Sequence, residues 1–186
     1  MPSFRLTILC EDRLTERFLR RLCERYHHQV QEVVVSPSGN GDASAWVKKQ
    51  YAEQVKKRRS KNYQKQLGLL VCVDGDEVGC SARQQEMNQA LQAANIERRT
   101  PEEPIAVLVP TWSIETWLAA LCGKSDIVED HSYKDEAAYR SQARDLFGDG
   151  AKDSATCRSA AEAWKATTAL LPSLAEAYAE AKRVRM

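Results

Sequence analysis

Seven consecutive residues, Leu67 to Val73 (LGLLVCV), are apolar or glycine, and the run stops at the acidic string Asp74-Gly75-Asp76-Glu77. A run of this kind fits a strand covered on both faces, as in a parallel sheet lying between layers of helix. Three further runs have strand character: Phe4 to Cys10 (FRLTILC), Val33-Val34-Val35, and Ile105 to Val109, the last stopped by Pro110. Helical patterns separate them. Asp12 stands where it can cap a helix from Arg13 to His28, in which Leu14, Phe18, Leu22 and Tyr26 recur at helical spacing. Asp42 caps a long polar helix from Ala43 to Ser60, and Ser81 to Gln84 reads as a capping box opening a helix to Asn95. Four strands alternating with helices imply right-handed crossovers and an α/β fold: a doubly wound, mainly parallel four-stranded sheet with helices on both faces.

After Ile114 to Leu121 the composition changes. From about Asp126 to Gly150 the chain is acidic and loop-prone; from Ala155 it is alanine-rich helix, and Pro172-Ser173 start a last helix through a Ser173 to Glu176 capping box. The expected organisation is an α/β domain over residues 1–122 with a helical C-terminal extension, 123–186, packed on it. Only 8 glycines and 6 prolines in 186 residues disfavour a many-turned sandwich or barrel.

Charge excludes little by itself, because 27 Lys and Arg against 26 Asp and Glu leave a net +1. The six cysteines include no CxxC pair and no His at ligand spacing, which argues against zinc and for small buried thiols in a reducing compartment. No apolar stretch approaches a membrane span and the first ten residues carry no signal-peptide run, so a cytoplasmic protein without a membrane partner is expected.

Polar residues that follow a strand of an open parallel sheet stand at its carboxyl edge, where such folds bind ligands. Glu11-Asp12 follows the first strand, Asp74-Gly75-Asp76-Glu77 the third, and Glu115 lies one turn into the helix after the fourth. Clustered carboxylates repel unless protonated or neutralised, and hard oxygen donors of this kind suit Mg²⁺ or Mn²⁺. The competing reading of Asp74-Gly75-Asp76 is a plain turn, since Asp-Gly is a common turn dipeptide. His27 and His28 suit the dipole at a helix end, His131 a surface, and Trp112, Trp117 and Trp164 a core. Ser113 has no partner at triad spacing.

Strand-Glu-helix followed by strand-Asp-x-Asp resembles the TOPRIM domain of primases, topoisomerases and overcoming-lysogenization-defect nucleases. The likeness is to the small stand-alone TOPRIM-like proteins of prokaryotic defence loci, the RloB-like and related groups. These also carry a Glu followed by Trp and Leu after a later strand, as in Pro110-Thr-Trp-Ser-Ile-Glu115-Thr-Trp-Leu118. It covers about residues 4 to 122. The usual Glu-Gly of the first motif is Glu11-Asp12 here, and Glu16 supplies a later acid. The resemblance implies that Glu11, Asp74 and Asp76 are catalytic and that, with Glu115, they hold Mg²⁺ or Mn²⁺ for phosphodiester chemistry. The expected activity is that of a nuclease in phage defence or DNA maintenance, and an ABC-type ATPase encoded nearby is a possible partner.

Basic residues concentrate in one helix and its end: Lys48, Lys49, Lys56, Lys57, Arg58, Arg59, Lys61 and Lys65, with Tyr51 and Tyr63 interleaved. Such a stripe can neutralise the phosphates of DNA or RNA while tyrosines stack on unpaired bases; the alternative is a solvated helix face. The loop before it, Ser38, Gly39, Asn40 and Gly41, has backbone amides suited to cradling a phosphate at a helix N-terminus. Two rival functions remain at this level. One is an aspartate-based phosphatase of haloacid-dehalogenase type or a nucleotidyl transferase; the other is a non-catalytic, regulatory partner of a DNA-dependent ATPase.

Overall fold

The computed structural model describes residues 3–37, 42–64, 66–134, 136–165 and 171–186. The Ser38-Gly39-Asn40-Gly41 loop and Lys65 therefore lie outside the described residues. Four strands, β1 (Arg5–Cys10), β2 (Gln29–Val35), β3 (Leu67–Cys72) and β4 (Ile105–Leu108), form one all-parallel sheet in the order β2-β1-β3-β4. Helices α1 (Arg13–Arg25), α2 (Ala43–Ser60) and α3 (Gly79–Ala93) make the crossovers. They are followed by α4 (Ile114–Leu121), α5 (Ala137–Gln142), α6 (Gly150–Ala163), α7 (Pro172–Ala181) and a 3₁₀ turn, Lys182–Val184.

Side chains alternate across the strands, and the two faces are buried under different helices. Leu9, Leu69, Val71, Val73, Ile105, Val107 and Val109 pack with Val47, Tyr51, Val55, Met87 and Leu91 of α2 and α3. On the other face Leu6, Ile8, Leu70, Cys72, Ala106 and Leu108 pack with Phe18, Leu22, Trp117, Cys157, Trp164, Leu174 and Val184. Every residue of β3 is buried, as its unbroken apolar sequence requires.

Several boundaries differ from the sequence expectation for local reasons. Helix α1 ends at Arg25 because His27 takes a left-handed conformation (φ 56°) and turns the chain into β2, which starts at Gln29 rather than Val33. The backbone amides of His27 and His28 close the helix on Glu24 O and Cys23 O at 3.1 and 2.9 Å, while the His28 imidazole faces the sheet, its Nδ1 accepting from the Phe4 amide at 3.2 Å. Helix α3 starts at Gly79 after Val78, with Ser81 inside the first turn and no side-chain cap. Helix α6 begins at Gly150, earlier than Ala155, because Asp149 accepts from the amides of Ala151 and Lys152 at 3.0 and 2.9 Å. In α7 Pro172 occupies the first turn and Ser173 is no cap; instead the Glu129 carboxylate, from the segment between α4 and α5, accepts from the Ser173 amide at 3.1 Å. Asp12 and Asp42 do cap α1 and α2, each accepting from the amide three residues on at 2.8 Å.

The residues after α4 share the core of the sheet. Trp164 is fully buried against Phe18 of α1, Trp117 of α4 and Tyr178 of α7, with ring centroids 5.8, 6.0 and 6.4 Å away. Residues 150–186 should therefore unfold with the sheet. Trp164→Ala should cost about 3–5 kcal/mol, and urea unfolding followed by tryptophan emission and by far-UV circular dichroism should give one coincident transition.

Candidate active site at the carboxyl edge of β1 and β3

From β1 the chain steps outward to β2, then crosses back over β1 to β3 and continues to β4. The order therefore reverses between β1 and β3, and in open α/β sheets the crevice at the carboxyl ends of that strand pair is where ligands bind. Register places Cys10 opposite Cys72, so Glu11 and Asp74 both leave the sheet into this crevice. Glu11 Oε1 accepts a hydrogen bond from the Asp74 amide at 2.8 Å.

The turn after β3 has little freedom. Gly75 donates its amide to Pro110 O at 2.8 Å, and a Cβ at Gly75 would stand 2.7 Å from that same oxygen, so only glycine fits. Asp76 follows with φ 44° and donates its amide to Trp112 O at 3.0 Å. Arg83, buried on α3, locks the turn: Nε donates to Asp74 O at 2.7 Å, and its terminal nitrogens reach Asp76 Oδ2 at 2.7 Å and Glu86 Oε2 at 2.6 Å. The Asp76 side chain is thus more than half exposed and committed to a guanidinium, while Asp74 is 4% exposed. A left-handed Asp76 is turn chemistry; a buried Asp74 is not.

Burial pushes the Glu11 carboxyl up to about 7, against the pull of the Asp74 amide, and the charge of Asp76 adds to the rise. Asp74 is held well above the usual carboxylate range by burial first, then by the charges of Glu11, Asp12 and Glu115. Burial also raises Glu115, whose Oε2 is buried with no hydrogen-bond partner among the described residues. Lys134, from the segment between α4 and α5, lowers both Asp74 and Glu115 by its positive charge. Neither Arg83 nor Lys134 was signalled by any motif. The single clue to Arg83 is its helical position just after the acidic turn.

Glu11, Asp74 and Glu115 are thus hard oxygen donors in a buried, charge-frustrated crevice, which fits a divalent cation chemically. Their geometry is not that of a preformed cage, since no three His, Cys, Asp or Glu side chains converge at ligand distance among the described residues.

The basic stripe lies mostly elsewhere. Because β2 ends at the carboxyl edge and β3 starts at the opposite one, α2 runs back across the molecule, about 27 Å for its 18 residues. Lys48, bonded to Glu86 at 3.0 Å, and exposed Lys49 lie in the half nearer the acids. Lys56, Lys57, Arg58, Arg59 and Lys61 lie toward the amino edge. There Lys57 pairs with Glu32 at 2.7 Å, Arg59 with Glu103 at 2.7 Å, and Arg58 donates to Asn62 Oδ1 at 3.0 Å. Tyr51 is buried under the sheet and cannot stack on a base.

No protein family, no curated protein and no solved structure matches the chain.

The raised Glu11 fixes a pH dependence. A carboxyl titrating near 7 in the folded state and near 4.5 unfolded stabilises the fold below about 4.5 and loses that contribution as pH rises through 7. In EDTA, urea unfolding should therefore show the wild type losing up to about 3 kcal/mol relative to Glu11→Gln between pH 5 and pH 8. Parallel stability profiles for the two proteins would show that Glu11 is not perturbed.

Proposed function

We propose that the chain is a divalent-cation-dependent enzyme of phosphodiester chemistry on nucleic acid, of TOPRIM type and acting as a nuclease in phage defence or DNA maintenance. The observation that carries this reading is the contact of the Glu11 carboxylate with the amide of buried Asp74 at the reversal point of a parallel sheet. Arg83 and Lys134 offset this acid cluster only in part, and buried carboxylates this close remain costly unless protonated or joined by a cation. Glu11, Asp74 and Glu115 are the donors that would hold Mg²⁺ or Mn²⁺; Asp76 joins them only by leaving Arg83. Bound there, the cation supplies charge neutralisation of a phosphate and a lowered pKa for an attacking water. Glu11, with one oxygen on the Asp74 amide, is placed to serve as a ligand or as a general base.

A second reading, a regulatory partner of a DNA-dependent ATPase, draws on the same geometry: Asp76 is tied to Arg83 and no three ligands converge among the described residues. Thermal melts in EDTA and in Mn²⁺ test the cation site. Asp74→Asn should be as stable as wild type or more so in EDTA, because it relieves repulsion in the acid cluster. Wild type alone should gain from Mn²⁺, by about 2.7 kcal/mol at a hundredfold excess over Kd. An equal Mn²⁺ shift in both proteins would refute the carboxylate site. Turnover of labelled oligonucleotides by wild type and not by Asp74→Asn separates enzyme from scaffold.

A further inference from the structure

The turn that closes α2 carries the most exposed large hydrophobic side chain among the described residues, Tyr63, at 78%. Other tyrosines are occupied. Tyr51 and Tyr133 are buried, Tyr139 stacks on His131 at 3.9 Å, and Tyr178 lies beneath the Lys182 ammonium. The Tyr63 ring stacks on no other aromatic ring among the described residues; its hydroxyl accepts from the neighbouring Gln64 at 3.1 Å. An exposed aromatic ring costs hydration free energy without a partner to cover it.

Its surroundings are cationic. Lys56 and Lys57 are exposed on the last turns of α2, and Arg58 and Lys61 are part-exposed beside the Tyr63 turn. Glu32 pairs with Lys57, but no carboxylate forms an ion pair with Lys56, Arg58 or Lys61 among the described residues. Lys57, Arg58 and Lys61 also line a shallow groove that reaches Gln31 on the open edge strand β2 and Gln54 on α2. In a chain of net charge +1, this is a local excess of positive charge around one bare ring.

We propose that this tip, Tyr63 with Lys56, Lys57, Arg58 and Lys61, is a docking site for single-stranded nucleic acid. The cations track a phosphate backbone, and the ring offers a stacking platform that only an unpaired base can reach. In a duplex the bases are stacked on each other, and a single ring on a turn has no face to meet. The tip lies at the amino edge of the sheet, an α2 length from the acidic crevice, so a strand anchored here approaches Glu11 and Asp74 only after running along the molecule. The inference deepens the phosphodiester reading by naming the form of the substrate, and it rests on that reading for the polyanion being nucleic acid. Its test needs no cation.

The probe is a fluorescein-labelled thymidine oligonucleotide about 12 nucleotides long, read by anisotropy in EDTA beside a duplex of equal length. Wild type should bind the single strand more tightly than the duplex. Tyr63→Ala should weaken single-strand binding about 5- to 150-fold with an unchanged salt slope, and leave duplex binding alone. Tyr63→Phe should bind as wild type does. Lys56→Gln and Lys61→Gln should each lower the salt slope by about 0.7. Tyr63 is exposed, so these variants keep the fold. Equal affinity of Tyr63→Ala and wild type, equal affinity for duplex and single strand, or no binding at about 50 mM salt would each overturn the proposal. All these readings are taken in EDTA, so failure of the docking site and failure of the cation site, which the Mn²⁺ melts report, are told apart.

Discussion

The in-register pairing of β1 with β3 is the constraint on which the rest of this structure depends. Slipping a strand by one residue would exchange its faces, sending Leu69 and Val71 to the side that holds Leu70 and Cys72. The register is held at its start by Gly68 opposite Leu6, where a Cβ would stand 2.6 Å from Leu6 Cδ2. At its end the same register brings Cys10 beside Cys72 and lets Glu11 reach the Asp74 amide. Packing and candidate chemistry are thus one decision: the apolar alternation that fills both cores also fixes where the acids emerge.

Electrostatics in the crevice is handled by one cation close in sequence, Arg83, and one remote, Lys134. Arg83 of α3 removes Asp76 from the acid cluster and ties the backbone of Asp74 to the start of α3, while Lys134 offsets Asp74 and Glu115 from the other side. The loop that carries Lys134 is fixed by neighbours: Trp112 Nε1 donates to Glu129 O at 3.1 Å, and the Val128 amide donates to the Tyr133 hydroxyl at 3.1 Å. Two cations therefore do part of what a bound ion would do, which explains how so many carboxylates share one edge without opening it.

Much of the sheet was legible because each strand announces itself locally. The apolar run at Leu67, the Asp12 and Asp42 caps and Pro110 lie in the sequence as they function in the fold. Glu11 and Asp74 follow from the same reading, since residues after parallel strands must share an edge. The rest was set by contacts that no local pattern announces. Ser173 looked like a cap, yet its hydroxyl accepts from Trp117 Nε1 at 2.6 Å and its amide is taken by Glu129. Asp76 looked like the equal of Asp74, yet its left-handed backbone and Arg83 send it elsewhere. The basic residues of α2 read as one stripe, though the helix runs the length of the sheet and separates Lys48 from Lys61.

The two faces of the sheet also draw on different stretches of the chain. All the buried residues of the α2 and α3 side fall between Leu9 and Val109, whereas the other side is complete only with Leu174, Ala177, Ala181 and Val184. Glu180 from this late segment also closes the β4 edge by accepting from the Val107 amide at 3.2 Å. During synthesis, one half of the core can thus consolidate while the opposite face and the β4 edge wait for about 75 more residues. At ribosomal rates of about 5–20 residues per second the delay is several seconds. For that time the face already covered by α1 and α4 lacks its last helix, and the β4 edge stands without the Glu180 carboxylate.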